Sequence, residues 1–173
     1  MIEVVGSSRR SFVFPATLPI AYAYYADVGR LLGYLPHIGL VRTYGPDQFR
    51  LRYSSIEMGA YHVSIYADVQ TTLEDGWAVR ILPLSHPAPV QARAETRSCV
   101  AQGAFSSHSV FHAQGDQTRI EYSLQLRANL PKPLSLRLVP DTMLNRISRE
   151  ITQLHIHEIT EGFIEQSIKA FPS

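Results

Sequence analysis

Residues 109–126, SVFHAQGDQTRIEYSLQL, read as two strands folded back on each other at Gly115-Asp116. A Gly-Asp pair between alternating runs makes a two-residue hairpin turn, because glycine adopts the positive φ that such turns need. Extended back to Phe105, the turn sets Phe111 opposite Ile120, Ser109 opposite Tyr122, Ser107 opposite Leu124 and Phe105 opposite Leu126. Those eight residues share one face, and His108, His112, Arg119, Glu121, Gln125 and Arg127 share the other. The first face suits a core and the second suits water, as in an antiparallel sheet that needs cover on one side only.

Upstream, YHVSIYADV (61–69) alternates in the same way, with Tyr61, Val63, Ile65, Ala67 and Val69 inward and His62, Ser64, Tyr66 and Asp68 outward. Outward His62, Asp68, His108, His112 and Glu121 are expected to be solvent residues. Breaks at Gly45-Pro46, Gly59, Asp75-Gly76, PLSHPAPV (83–90) and Gly115-Asp116 divide the chain from Pro36 to Leu130 into a meander of about six antiparallel strands. Before it, RRSFVFPATL (9–18) supplies a short strand. Thr17 with Leu18-Pro19 then starts a helix through IAYAYYA, and Asp27 caps a second, VGRLLGYL, which Pro36 ends. After the meander, PDTMLNRISREITQLHIHEITEGFIEQSIKAF (140–171) reads as one helix of about 30 residues.

A chain of 173 residues, 45% of them apolar, suits one domain spanning 1–173. The net charge of +1, with no basic cluster, argues against a nucleic-acid partner. No run approaches the roughly 20 apolar residues of a membrane span, and the lone Cys99 leaves no internal disulfide. These features predict a soluble, cytoplasmic protein.

QLHIHEITEG (153–162) carries two histidines and two glutamates. Helical residues lie about 100° apart, so His155 and His157 diverge by roughly 200° and cannot share an ion. No third ligand is evident, so neither a metal nor a cofactor is expected. His155, Glu158 and Gly162 do share a face, and they continue the apolar stripe of Met143, Leu144, Ile147, Ile151 and Leu154. Ser107 and Ser109 are small inward residues that leave room against such a stripe. No Gly-x-Ser-x-Gly elbow accompanies them, so no catalytic nucleophile is assigned. Tyr22, Tyr24, Tyr25 and Tyr34 suit either core or the walls of a cavity mouth.

The order of elements, a strand, two short helices, an antiparallel meander and a long terminal helix, resembles the START-like superfamily, also called polyketide-cyclase-like, SRPBCC or helix-grip. The likeness spans nearly the whole chain and is carried by YLPHIGLVRTYGPDQFRLRY (34–53), the hairpin above and LPKPL (130–134). More narrowly, the chain is similar to a branch of that superfamily found in cyanobacteria and plastids. The resemblance implies an α+β helix-grip fold: a curved antiparallel sheet of about seven strands wrapped around the C-terminal helix, two short helices after the first strand, and a cavity between sheet and helix. It implies binding of a hydrophobic small molecule, such as a lipid, isoprenoid or pigment, by a carrier, sensor or assembly factor. The alternatives are a cyclase or isomerase using His155, Glu158 or a tyrosine for proton transfer, and a protein-interaction module with a closed cavity. Ser107, Ser109, Tyr122, Met143, Ile147, Ile151 and Leu154 would then line the cavity, His155 and Glu158 would mark its polar end, and His37 would sit near its mouth.

Overall fold

The computed structural model describes residues 1–57 and 60–172. Its last two strands, β7 (Ser98–Gln114) and β8 (Gln117–Leu130), meet in the hairpin register expected from the turn, with Phe111 opposite Ile120, Ser109 opposite Tyr122 and Phe105 opposite Leu126. Gly115 takes the positive φ, 65°, that the turn demands. The inward residues Phe105, Phe111, Ile120, Tyr122, Leu124 and Leu126 are all buried.

Around this hairpin stands one curved sheet in the order β1-β8-β7-β5-β4-β3-β2, with β1 (Ile2–Phe14), β2 (Ile38–Thr43), β3 (Gln48–Glu57), β4 (Tyr61–Glu74) and β5 (Ala78–Pro83). Two details depart from a simple meander. The two-residue strand β6 (Arg93–Ala94) pairs only with β7. The first residues of β4 run parallel to β7, from His62 beside Ser98 to Tyr66 beside Gln102, in the stretch that β5 does not cover.

Between β1 and β2 lie α1 (Leu18–Ala26) and α2 (Val28–Leu31), the latter followed by a 3₁₀ turn. Thr17 and Asp27 occupy the cap positions, although neither side chain makes a capping hydrogen bond. The second helix is shorter than expected because Gly29 and Gly33 weaken it. The tyrosines of α1 belong to core: Tyr24 stacks on Phe14 at 5.4 Å, and the Tyr25 ring meets Phe14 and Phe111 at 5.2 and 5.7 Å.

The terminal helix α3 (Asp141–Ala170) packs on the inner face and also covers the free edge of β1. Asn145 accepts from the Glu3 N–H at 2.9 Å, Ser148 donates to the Glu3 carbonyl at 3.0 Å, and Gln153 donates to the Ser7 carbonyl at 2.7 Å. These side chains satisfy backbone groups that an edge strand otherwise leaves open. Gly6 permits the close approach, since a Cβ there would lie 2.6 Å from Cγ1 of Ile156. Among the described residues no helix is long and apolar enough to cross a membrane.

Asp68 corrects the reading of the outer face: it points outward from β4 and is nevertheless buried. The segment after β5 crosses over it, so that the Ala88 N–H donates to it at 2.8 Å and Arg50 grips it at 2.7 and 3.0 Å. Burial alone would raise its pKa; the Arg50 guanidinium and the Ala88 N–H outweigh that and hold the carboxyl below the usual aspartate range.

Candidate functional site

The inward line of α3 is set by Leu144, Thr152, Ile156, Ile159, Thr160, Phe163 and Ser167. It is displaced by about one residue from the stripe that apolar content selects. Ser148 and Thr152 cause the displacement: both turn toward β1, one bonding the Glu3 carbonyl and the other lying against Gly6. Of the four aliphatic residues assigned to a cavity, Ile147 and Ile151 line one, while Met143 and Leu154 face water at 49% and 58% exposure.

The serine-lined space closes for a related reason. Ser107, Ser109 and Tyr122 do not face Met143, Ile147, Ile151 or Leu154. They border a gap of only about 30 Å³ shared with Tyr25, Leu32 and Phe163. The Phe163 ring stacks on Tyr122 at 4.9 Å and takes the room that two serines vacate. Distance along the chain explains this pairing. Tyr122 lies eight residues before Leu130 in β8, about 27 Å of strand, and α3 needs about 18 residues to return that far, which reaches the neighbourhood of residue 160.

The larger apolar cavity lies at the other end of α3 and has a volume of about 80 Å³. Its walls are Ile2, Val4, Val63, Ile65, Leu130, Leu136, Leu144, Ile147 and Ile151; of its polar residues, Ser148 and Thr152 lie on α3, and Tyr53, Ser55, Glu57 and Tyr61 gather on β3 and the start of β4. Burial, with help from the Glu57 and Glu158 charges, pushes the Tyr53 hydroxyl up to about 12, so it keeps its proton at neutral pH. The Tyr61 hydroxyl is buried beside the Cys99 thiol, a weak partner, and among the described residues it makes no hydrogen bond. Cys99 itself is free and buried.

Beside the polar end, the fold brings His37, His155, Glu158 and Glu57 together. His155 Nε2 lies 3.0 Å from Glu57 Oε1, and its Nδ1 lies 3.4 Å from Glu158 Oε2. His37 Nε2 lies 2.9 Å from that same Glu158 oxygen. The two imidazole rings are 4.8 Å apart, and the His155 ring is 6.4 Å from Tyr53. His37 reaches the helix because it takes a positive φ, 61°, and because Gly162 has no Cβ to strike the Pro36 ring. The hydrogen bond with His37, supported by His155, holds the Glu158 carboxyl below the usual glutamate range. His157 points into solvent, apart from this group.

Sequence reasoning therefore found His37, His155 and Glu158 and set the last two on one helix face, but did not find that His37 joins them, and it gave Glu57 and Tyr61 no role at the site. A signal for Glu57 existed. The alternation of Phe49, Leu51, Tyr53 and Ser55 continues to Glu57 and places it inward. The absence of a third metal-ligand candidate, on which the expectation of no metal rested, is corrected by His37.

No family model matches the chain, and no curated protein matches it in sequence. Solved structures do. The crystal structure of TTHA0849 from Thermus thermophilus superposes with a TM-score of 0.56 at 18% identity, covering 96% of this chain and 99% of that one. The Zhui aromatase/cyclase from Streptomyces sp. R1128 gives 0.56 at 12%, covering 95% and 92%. A conserved protein from Geobacillus kaustophilus gives 0.54 at 12%, covering 96% and 93%. The chain has the START-like, helix-grip fold. At such identities the helix-grip likeness carries the fold and not the chemistry, and none of these structures bears on the resemblance to a cyanobacterial and plastid branch.

Proposed function

We propose that this protein binds a hydrophobic small molecule with a polar head, the tail in the cavity under the first half of α3 and the head toward Glu57, His155 and Tyr61. The observation that carries the reading is the distribution of groups around that cavity: mostly aliphatic walls, with Ser148 and Thr152 on the α3 side and four further polar residues, Tyr53, Ser55, Glu57 and Tyr61, together on β3 and the start of β4. A buried Tyr61 hydroxyl that makes no hydrogen bond among the described residues offers one to such a head. A cavity of about 80 Å³ is roughly half of one that admits benzene, so a lipid-sized tail extends past Leu136 and Ile147 to the mouth. The role is that of a carrier, sensor or assembly factor in a reducing, cytoplasmic setting.

Native mass spectrometry of protein purified from its own host, with titration of a fluorescent hydrophobic probe, tests the reading. Ile151→Phe narrows the cavity and should weaken the probe by tenfold or more while the protein stays folded. A wild-type protein that carries no ligand and takes up no probe would end this reading. His155 turned onto Glu57 also has the form of an acid–base pair. If His155→Ala kept binding but stopped turnover of the bound compound, an isomerase or cyclase would replace the carrier.

A further inference from the structure

We propose that His37, His155 and Glu158 form a binding site for one divalent first-row ion of the zinc type, with Glu57 as the residue that orients His155. One donor atom from each of the three lies within 4.8 Å of the other two. Zinc bonds of about 2.0–2.1 Å set tetrahedral ligands about 3.4 Å apart, so the side chains need to close by at most about 1.4 Å. Of the separations to Glu158 Oε2, the 3.4 Å from His155 already matches, and the 2.9 Å from His37 needs to open by about 0.5 Å.

His155 supplies the chemical reason. Both of its ring nitrogens face carboxylate oxygens, Nε2 toward Glu57 and Nδ1 toward Glu158. A neutral imidazole donates through one nitrogen only, so the lone pair on the other meets a carboxylate oxygen. Only a cation relieves that contact: a proton, which makes imidazolium, or a metal ion lying between Nδ1, Glu158 and His37. With Nε2–H held by Glu57, Nδ1 is left as the ligand atom, the carboxylate–histidine–metal arrangement that fixes tautomer and ring direction. Two carboxylates face the two rings, an arrangement that favours a cation. Two nitrogens and one carboxylate leave a fourth position for water or an oxygen donor.

The site stands on its own geometry and does not require that the cavity hold a ligand. Zinc and cobalt(II) are titrated into the metal-stripped full chain, following heat of binding for the first and visible absorption for the second. One equivalent should bind, with intense tetrahedral-type cobalt bands. His37→Ala, His155→Ala and Glu158→Ala should each remove the bands, and Glu57→Gln should weaken zinc by 10- to 100-fold while keeping the stoichiometry. His37 sits on an exposed loop, so His37→Ala reports on the site even if His155→Ala folds poorly. Zinc binding equal in wild type and His37→Ala, or no binding at all, would overturn the proposal. Uptake of the hydrophobic probe is read separately, so loss of one result leaves the other standing.

Discussion

The two halves of α3 are built from similar apolar content and do opposite things. From Ile156 to Ala170 the helix buries Ile156, Ile159 and Phe163, Tyr25 bonds the Ser167 hydroxyl at 2.8 Å, and just past the helix end Phe171 meets Phe14 at 4.7 Å. From Asp141 to Leu154 it buries Leu144 and Thr152, leaves Met143, Ile147 and Leu154 at 40% exposure or more, and encloses a cavity. His155 and Glu158 stand at the junction. One half stabilises the fold, and the other keeps room for something else.

Truncations should separate the halves by the largest margin. Phe163→Ala removes a ring packed on Tyr122 and Tyr25, and should cost about 3–5 kcal/mol. Ile151→Ala enlarges a cavity that already exists beside a half-exposed residue, and should cost about 2 kcal/mol or less. Urea midpoints of the two variants check this; equal losses would erase the distinction between a solid and an open half.

A smaller effect is expected from Ser109→Leu. The space beside Ser109 is about 30 Å³ and is bounded by Phe163, so a leucine there overpacks and should destabilise by about 1–3 kcal/mol without touching probe uptake. The sequence alone suggests the reverse, loss of uptake with stability unchanged or raised, because it sets the serines opposite Met143, Ile147, Ile151 and Leu154. A stable Ser109→Leu protein that no longer binds a probe would restore that arrangement and move the cavity to the hairpin end.

The hairpin was legible because its turn residues and period-two alternation fix every pair from a single point. The helix was legible in length but not in rotation. Apolar content ranks Met143 and Leu154 above Ser148 and Thr152, whereas the β1 edge recruits the hydroxyl of Ser148 and the small girth of Thr152. Which part of α3 meets Tyr122 was contained in the lengths of β8 and α3, a consideration of distance rather than of pattern. The cluster was hidden for a different reason: His37 and Glu158 are 121 residues apart, and the glycine that lets them meet, Gly162, looks like an ordinary weak point in a helix.

The smallest effects should come from the exposed stripe. Met143, Ile147 and Leu154 fall within about 40° of one another around the axis of α3, so by helical phase alone they should act together. They differ in what they border. Ile147 lines the cavity beside Leu144 and Ile151, while Met143 and Leu154 border none of it. Met143→Gln and Leu154→Gln should each change stability by less than about 0.5 kcal/mol, since surface substitutions away from packed features rarely do more, and probe affinity should stay at its wild-type value. Ile147→Gln, at a residue that is also exposed, puts an amide on the cavity wall and should weaken the probe several-fold. Equal losses from all three would mean that the ligand lies along the outside of the helix, across the stripe, with the cavity taking no part in holding it.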